Sequence, residues 1–237
     1  MFRKVLMALA FAWVVLVSPA RAEWVQFEKT LAGKAVTVSY NGATLTVFAG
    51  QYQAHLYHDP ALTNSIAGFY SFCVDFDHSM TVGQVFQVNV VSTDTLSHGA
   101  EVAYLYQKYG MGLITGNNKA AALQLAIWDL IIDGGDGFGV GNFRYGTLGT
   151  ALTLANQFLD EARGQAGHTF WLDASPSGTA RNRGQSTLYP HSAPEPSSAC
   201  LFALGGLGFW LRRRRANRPL LTSPRMSGAV ASSTTRK

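Results

Sequence analysis

Apolar and polar residues first alternate along this chain. Ala35–Tyr40 and Ala43–Phe48 are β-rich alternating runs on either side of Asn41-Gly42, a dipeptide suited to the positive φ angles of a tight hairpin turn. Further extended runs are predicted at Gln51–Tyr57, Gly68–Phe76 and Gln84–Val91. The period then lengthens, and Leu96–Tyr109, Asn117–Asp133 and Thr147–Arg163 read as helices. Thr169–Asp173 reads as a returning strand. Strands followed by helices predict an α+β domain, with N-terminal antiparallel strands in a sandwich or barrel-like arrangement and a three-helix segment packed against them. The chain has no internal repeat.

Both ends break this pattern. Arg3 and Lys4 precede the apolar run Val5–Val17, which is too short for an ordinary membrane span, and Ala20-Arg21-Ala22 supplies a small-residue cleavage site. Residues 1–22 therefore read as a signal peptide. At the other end Pro194-Glu195-Pro196 is followed by an apolar stretch, 197–211, and then by Arg212, Arg213, Arg214 and Arg215. As a helix that stretch spans only about 22 Å, against roughly 30 Å for a hydrocarbon core. The arginines would stop translocation on the cytoplasmic side. The expected organisation is a signal peptide at 1–22, a folded domain at 23–173 and a linker at 174–193. A sorting segment at 194–215 and a disordered basic tail at 216–237 follow.

The net charge of +5 belongs to these ends. Between Glu23 and Ala193, 8 Lys and Arg face 13 Asp and Glu, a balance of −5. Nucleic acid is thereby set aside as a partner, since phosphate binding needs basic residues gathered on the folded surface.

The C-terminal arrangement resembles the PEP-CTERM sorting signals of bacteria that use exosortase. The resemblance implies transient membrane insertion through 197–211, processing near Pro194-Glu195-Pro196 by an exosortase-type enzyme, and delivery to the cell surface or an extracellular matrix. One departure is the tail beyond Arg215, since such signals usually end soon after the arginines. A plain membrane anchor is the alternative reading of the same segment.

Two cysteines are present, and Cys200 falls in the sorting segment. Once that segment is cut, Cys73 is a lone thiol in an oxidising compartment, a feature worth noting although free cysteine often serves as a small buried apolar residue. Its setting is Phe72-Cys73-Val74-Asp75, and 51 residues later comes Gln124-Leu125-Ala126-Ile127-Trp128 on a predicted helix. Gln124 and Trp128 are four apart and share a helix face. They adjoin the apolar stripe of Ala120, Leu123, Ile127, Leu130 and Ile131, so the carboxamide is expected at the edge of the core.

Together these segments resemble the Cys–Gln thioester domains of bacterial surface adhesins, with Cys73 and Gln124 at the bond-forming positions and Asp75 and Trp128 at accompanying ones. Leu123 departs from the threonine usual there. The resemblance implies an adhesion module whose thioester captures an amine-bearing surface or matrix component, without a cofactor or a metal. The thiolate is the required nucleophile, and an unperturbed thiol has a pKa of about 8.5. On a regular strand Asp75 and Asp77 would share a side with Cys73, fitting orienting or proton-accepting roles, and His78 would point to the opposite side. Phe72, Phe76 and Trp128 could exclude water.

Two other functions compete. A structural biofilm or matrix protein needs no reactive centre. A cysteine hydrolase would need Cys73 activated in space by His55, His98 or His168. The six histidines lack metal-binding spacing. The glycine-rich stretch from Asp133 to Gly141 lacks an EF-hand or nonapeptide calcium repeat and reads as a helix cap and loop. Tyr104, Tyr106 and Tyr109 read as packing residues.

Overall fold

The computed structural model describes residues 23–147, 149–175 and 184–190. The expected signal peptide, sorting segment and basic tail lie outside them, including the apolar stretch 197–211. Among the described residues, no helix is long and apolar enough to cross a membrane.

The hairpin is longer than its core signal. Strands β1 (Glu23–Tyr40) and β2 (Ala43–Tyr57) pair antiparallel around Asn41 and Gly42, both at positive φ as the turn requires. Register shifts between Phe27 and Lys29, and between Thr30 and Gly33, bend the ribbon. At the bend Gly33 faces Gly50, and a β-carbon on Gly33 would lie 2.8 Å from the Gly50 α-carbon. Only glycine lets the strands approach so closely.

Strand β3 (Ser65–Ser71) joins the outer edge of β2, while β4 (Val85–Ser92) joins β1 at its start. Beyond the helices come β5 (Phe143–Arg144) on the far end of β1, then β6 (Phe170–Asp173) on β4 and β7 (Thr187–Tyr189) on β6. The resulting order is β3-β2-β1-β4-β6-β7. The last strand returns to the first. Leu188 N–H donates to the Phe72 carbonyl (2.9 Å), and Val74 N–H donates to the Ser186 carbonyl (3.0 Å). Cys73 sits opposite Thr187 between those two bonds. The antiparallel sheet is thus a nearly closed barrel, and Cys73 lies on its closing seam.

Three helical segments pack against this sheet, as an α+β domain requires. Helix α1 (Gly99–Leu105) follows a 3₁₀ turn at 93–95 and runs into a π-helical turn at Tyr106–Gly110. The other two are α2 (Asn117–Asp133) and α3 (Thr150–Ala162). Every residue of α2 from Ala120 to Leu130 is buried. It contacts β1, β2, α1 and α3, so it is enclosed rather than carrying one apolar stripe. Ala120, Ala121, Ala122 and Ala126 keep the helix slim enough for that position.

Two features correct the expectations from sequence. The segment 174–193, expected as a linker, contains β7, and Gly184–Pro190 belong to the domain. The strand expected over 68–76 ends its ladder with β2 at Ser71. After Cys73 the chain turns, because the Asp75 carboxylate accepts from Asp77 N–H (2.9 Å). His78 consequently folds back onto Asp75, with Nδ1 2.5 Å from Oδ2, instead of pointing away.

Buried polar side chains brace the irregular backbone. Gln51 Nε2 donates to the Gly110 and Gly112 carbonyls (3.0 and 2.7 Å), and its Oε1 accepts from Ile114 N–H (2.9 Å). The tyrosines pack as expected. The Tyr106 hydroxyl donates to the Tyr70 carbonyl (2.6 Å), while Tyr104 and Tyr109 donate to Glu161 on α3. Replacing Gln51 by Leu strands the Gly110 carbonyl and the Ile114 N–H in the interior and removes the bond to the Gly112 carbonyl, which is at an exposed residue. Each such loss costs roughly 1–3 kcal/mol where water cannot enter. The Gln51→Leu variant is expected to lose about 2–4 kcal/mol of stability overall, read as a lower urea midpoint at unchanged slope.

Candidate functional site

The seam gives Cys73 an unusual set of partners. In an antiparallel pair, a residue flanked by cross-strand bonds at its neighbours turns its own N–H and C=O away from that partner strand. Cys73 is such a residue opposite Thr187, and its main-chain groups meet the side chain of Gln124 from α2. Cys73 N–H donates to Gln124 Oε1 (2.9 Å), and Gln124 Nε2 donates to the Cys73 carbonyl (2.8 Å). A carboxamide here takes the place of a neighbouring strand. Both residues are fully buried, so Gln124 sits inside the core and not at its edge.

The sulfur has separate partners. The Cys73 thiol donates to Gln185 Oε1 (3.0 Å), and Gln185 Nε2 donates onward to the Asp75 carbonyl (2.6 Å). The Tyr52 hydroxyl also lies against the thiol. Burial pushes the Cys73 thiol well above its usual pKa; the Tyr52 hydrogen bond opposes this and the Asp75 charge adds to it. Burial likewise raises Tyr52, with the sulfur as a second cause. The site therefore holds sulfur as a neutral thiol and the amide carbonyl already engaged by one N–H.

The accompanying residues do different things. The Asp75 carboxylate is occupied by His78 and Asp77 N–H, so it acts on the thiol only through its charge. The Trp128 ring stands edge-on to Phe76 (centroids 4.9 Å apart) and to Phe143 (6.0 Å). Its indole N–H and the Thr187 hydroxyl are buried without a hydrogen-bond partner. The histidines weighed as bases are engaged elsewhere: His55 with Glu28 and Ser65, His98 with Glu101, and His168 with Asp94. None of the three hydrogen-bonds to Cys73 in the described structure.

A cleft of about 380 Å³ lies beside the site, lined by Phe48, Tyr52, Phe76, Asp77, His78 and Gln185, among others. Tyr52 and Gln185, which hydrogen-bond to the thiol, form part of its wall. Sequence reading missed both. Gln185 was hidden because Ala174–Ala193 has the composition of a linker, and a three-residue strand leaves almost no periodic signal. Tyr52 was read only as one position of a strand.

A second cluster lies at the other end of α2. Asp129, Asp133 and Asp136 offer carboxylate oxygens within 4.8 Å of one another. Gly134 caps the helix at φ 74°, its N–H on the Leu130 carbonyl (3.1 Å), which matches the cap read from sequence. Asp133 accepts from Asn142 N–H (3.0 Å) and Phe143 N–H (2.6 Å), and so pins β5 to the helix. Asp129 Oδ2 accepts from Gly137 N–H (3.2 Å), while its Oδ1 is buried with no donor. Burial first, and the charges of Asp136 and Asp133 after it, raise the Asp129 carboxyl to about 7, although the Gly137 bond pulls the other way.

Residues 192–215 match the family model described as the PEP-CTERM protein-sorting motif. The motif indicates export, exosortase processing and a surface or extracellular location. No curated protein and no solved structure matches the chain.

The Asp129 shift has a definite sign. An acid whose folded pKa is raised favours folding below the unfolded value of about 3.9 and loses that advantage as pH rises through the folded value. In chelator-containing buffer, Asp129→Asn keeps an acceptor for Gly137 and removes the charge. The wild type is expected to lose stability relative to this variant between about pH 4 and pH 7, by no more than about 4 kcal/mol. Paired thermal melts across that range measure it.

Proposed function

We propose that the exported domain is a covalent-capture module, in which Cys73 and Gln124 form an internal thioester that an amine on a neighbouring surface or matrix opens. The observation that carries the reading is the grip of the Cys73 main chain on the Gln124 carboxamide, beside the thiol and inside a water-excluding core. The reaction balances without an oxidant. Sulfur bonds to the amide carbon, the carbon–nitrogen bond breaks, and ammonia leaves with the thiol proton.

Several features suit that step. The Cys73 N–H already donates to the oxygen on which negative charge develops, as an oxyanion donor would. Gln185 accepts the thiol proton's hydrogen bond and holds the sulfur in place. Burial of Phe72 and Trp128 limits hydrolysis of the stored electrophile. The Tyr52–Gln185 wall of the cleft is where an amine would enter. Exosortase cutting near Pro194-Glu195-Pro196, after transient membrane insertion of 197–211, would release the module outside the cell.

The same two hydrogen bonds favour a second reading, a surface or matrix module without a reactive centre. Gln124 would then brace a strand edge as Gln51 braces the turn after α1. Intact mass separates the two. Capture requires the wild type to weigh one ammonia less than its mature sequence and to show no titratable thiol when denatured. Methylamine should then add at Gln124 and free the Cys73 thiol, and Cys73→Ala should abolish both effects. An unmodified mass with one titratable thiol leaves the structural reading in its place.

A further inference from the structure

We infer that the C-terminal end of α2 and the loop that follows form a Ca²⁺ site, with Asp129, Asp133 and Asp136 as its carboxylate ligands. This inference stands apart from the Cys73–Gln124 reading and survives its failure. The three side chains come from one helix face and the first turn beyond it, since Asp129 and Asp133 are four residues apart and Gly134 ends the helix. Their carboxylates converge at a helix C-terminus, where the backbone dipole also favours a cation.

Convergence of acids alone would mean little. Here one of them is fully buried and incompletely satisfied. Asp129 is 0% exposed, and its Oδ1 has no hydrogen-bond donor. Buried polar atoms in native proteins almost always have a partner, and a carboxylate oxygen is among the most costly to leave alone. No Lys, Arg or His among the described residues forms an ion pair with any of the three aspartates. The nearby Arg144 commits its Nε to the Gly141 carbonyl (2.9 Å). A small cation would supply the partner that Oδ1 lacks.

Gly141 marks the same space from the other side. A β-carbon there would stand 2.5 Å from Asp133 Oδ2 and 3.0 Å from Asp136 Oδ2. Its φ of 76° also favours glycine, so the loop keeps its backbone tight over the two carboxylates.

The donor set chooses the ion. Oxygen ligands alone select a hard cation over zinc or copper. Two ligands on opposite sides of Ca²⁺ can be about 4.6–5.2 Å apart, at bond lengths of 2.3–2.6 Å, whereas Mg²⁺ brings them to about 4.2 Å or less. Carboxylate oxygens within 4.8 Å of one another fall inside the span that Ca²⁺ can bridge, and the metal competition described below distinguishes it from Mg²⁺. Extracellular modules bind Ca²⁺ with dissociation constants of about 10⁻⁴–10⁻³ M, which matches the location the sorting motif indicates.

Terbium luminescence tests the site, because Trp128 adjoins Asp129 in sequence and can sensitise a bound lanthanide. The full chain, freed of metal with a chelator, is titrated with Tb³⁺ and then with Ca²⁺ or Mg²⁺ as competitor. Sensitised emission displaced by Ca²⁺ at lower concentration than by Mg²⁺ is expected. About 10 mM Ca²⁺ should raise the melting temperature by about 3–10 °C. Asp136→Asn should weaken binding about tenfold or more while its metal-free melting temperature stays near that of the wild type, since Asp136 is exposed. Asp129→Asn should weaken binding too. The inference is overturned if the wild type neither sensitises Tb³⁺ nor gains stability with Ca²⁺. It is equally overturned if both variants respond as the wild type does.

Discussion

A side-chain amide standing in for a β-strand holds this domain together at its most exacting point. The sheet curls until Phe72–Val74 meet Ser186–Leu188, which leaves the N–H and C=O of Cys73 facing the interior. Neither group can reach water there. Gln124 is the residue that answers both, through two bonds below 3 Å. Leaving them open would cost several kcal/mol, comparable with much of a domain's net stability. Closure of the barrel and burial of α2 are therefore one event, because the helix supplies the final bonds to the seam.

That coupling explains the electrostatics of the site. A thiol locked behind Gln185 and Tyr52 stays neutral, since burial outweighs the Tyr52 hydrogen bond that favours the thiolate. Among the described residues the Cys73 thiol hydrogen-bonds to Gln185 and Tyr52, and none of the histidines weighed as its base bonds to it. What the site does provide is proximity, exclusion of water and an N–H on the carbonyl oxygen. Under the proposed capture reading, these are the conditions that a single internal acyl transfer needs.

Helix α2 carries both features of interest. Gln124 lies at its middle and Asp129 little more than one turn later, with Trp128 between them in the aromatic cluster of Phe76, Phe138 and Phe143. Phe143 belongs to β5, which Asp133 pins to the helix end. A rigid helix fixed at its C-terminus by the acidic loop would also fix the position of Gln124 against the seam.

The sequence by itself determined the sorting motif at 192–215, the α+β class and the turn of the first hairpin. Each rests on local signals: charge beside an apolar run, a change of period from two to about 3.6, and Asn41-Gly42. It also singled out Cys73 and Gln124 as a pair. Tertiary structure alone decided how they meet, because a barrel seam is made by pairing between residues more than 100 positions apart, as with Cys73 and Gln185. It decided too that 184–190 belong to the domain, since three residues are too few to show a period yet enough to complete a ladder. The return of His78 onto Asp75 and the orphaned oxygen of Asp129 have the same origin. Both depend on where the backbone turns and what encloses it, and spacing along a chain does not encode enclosure.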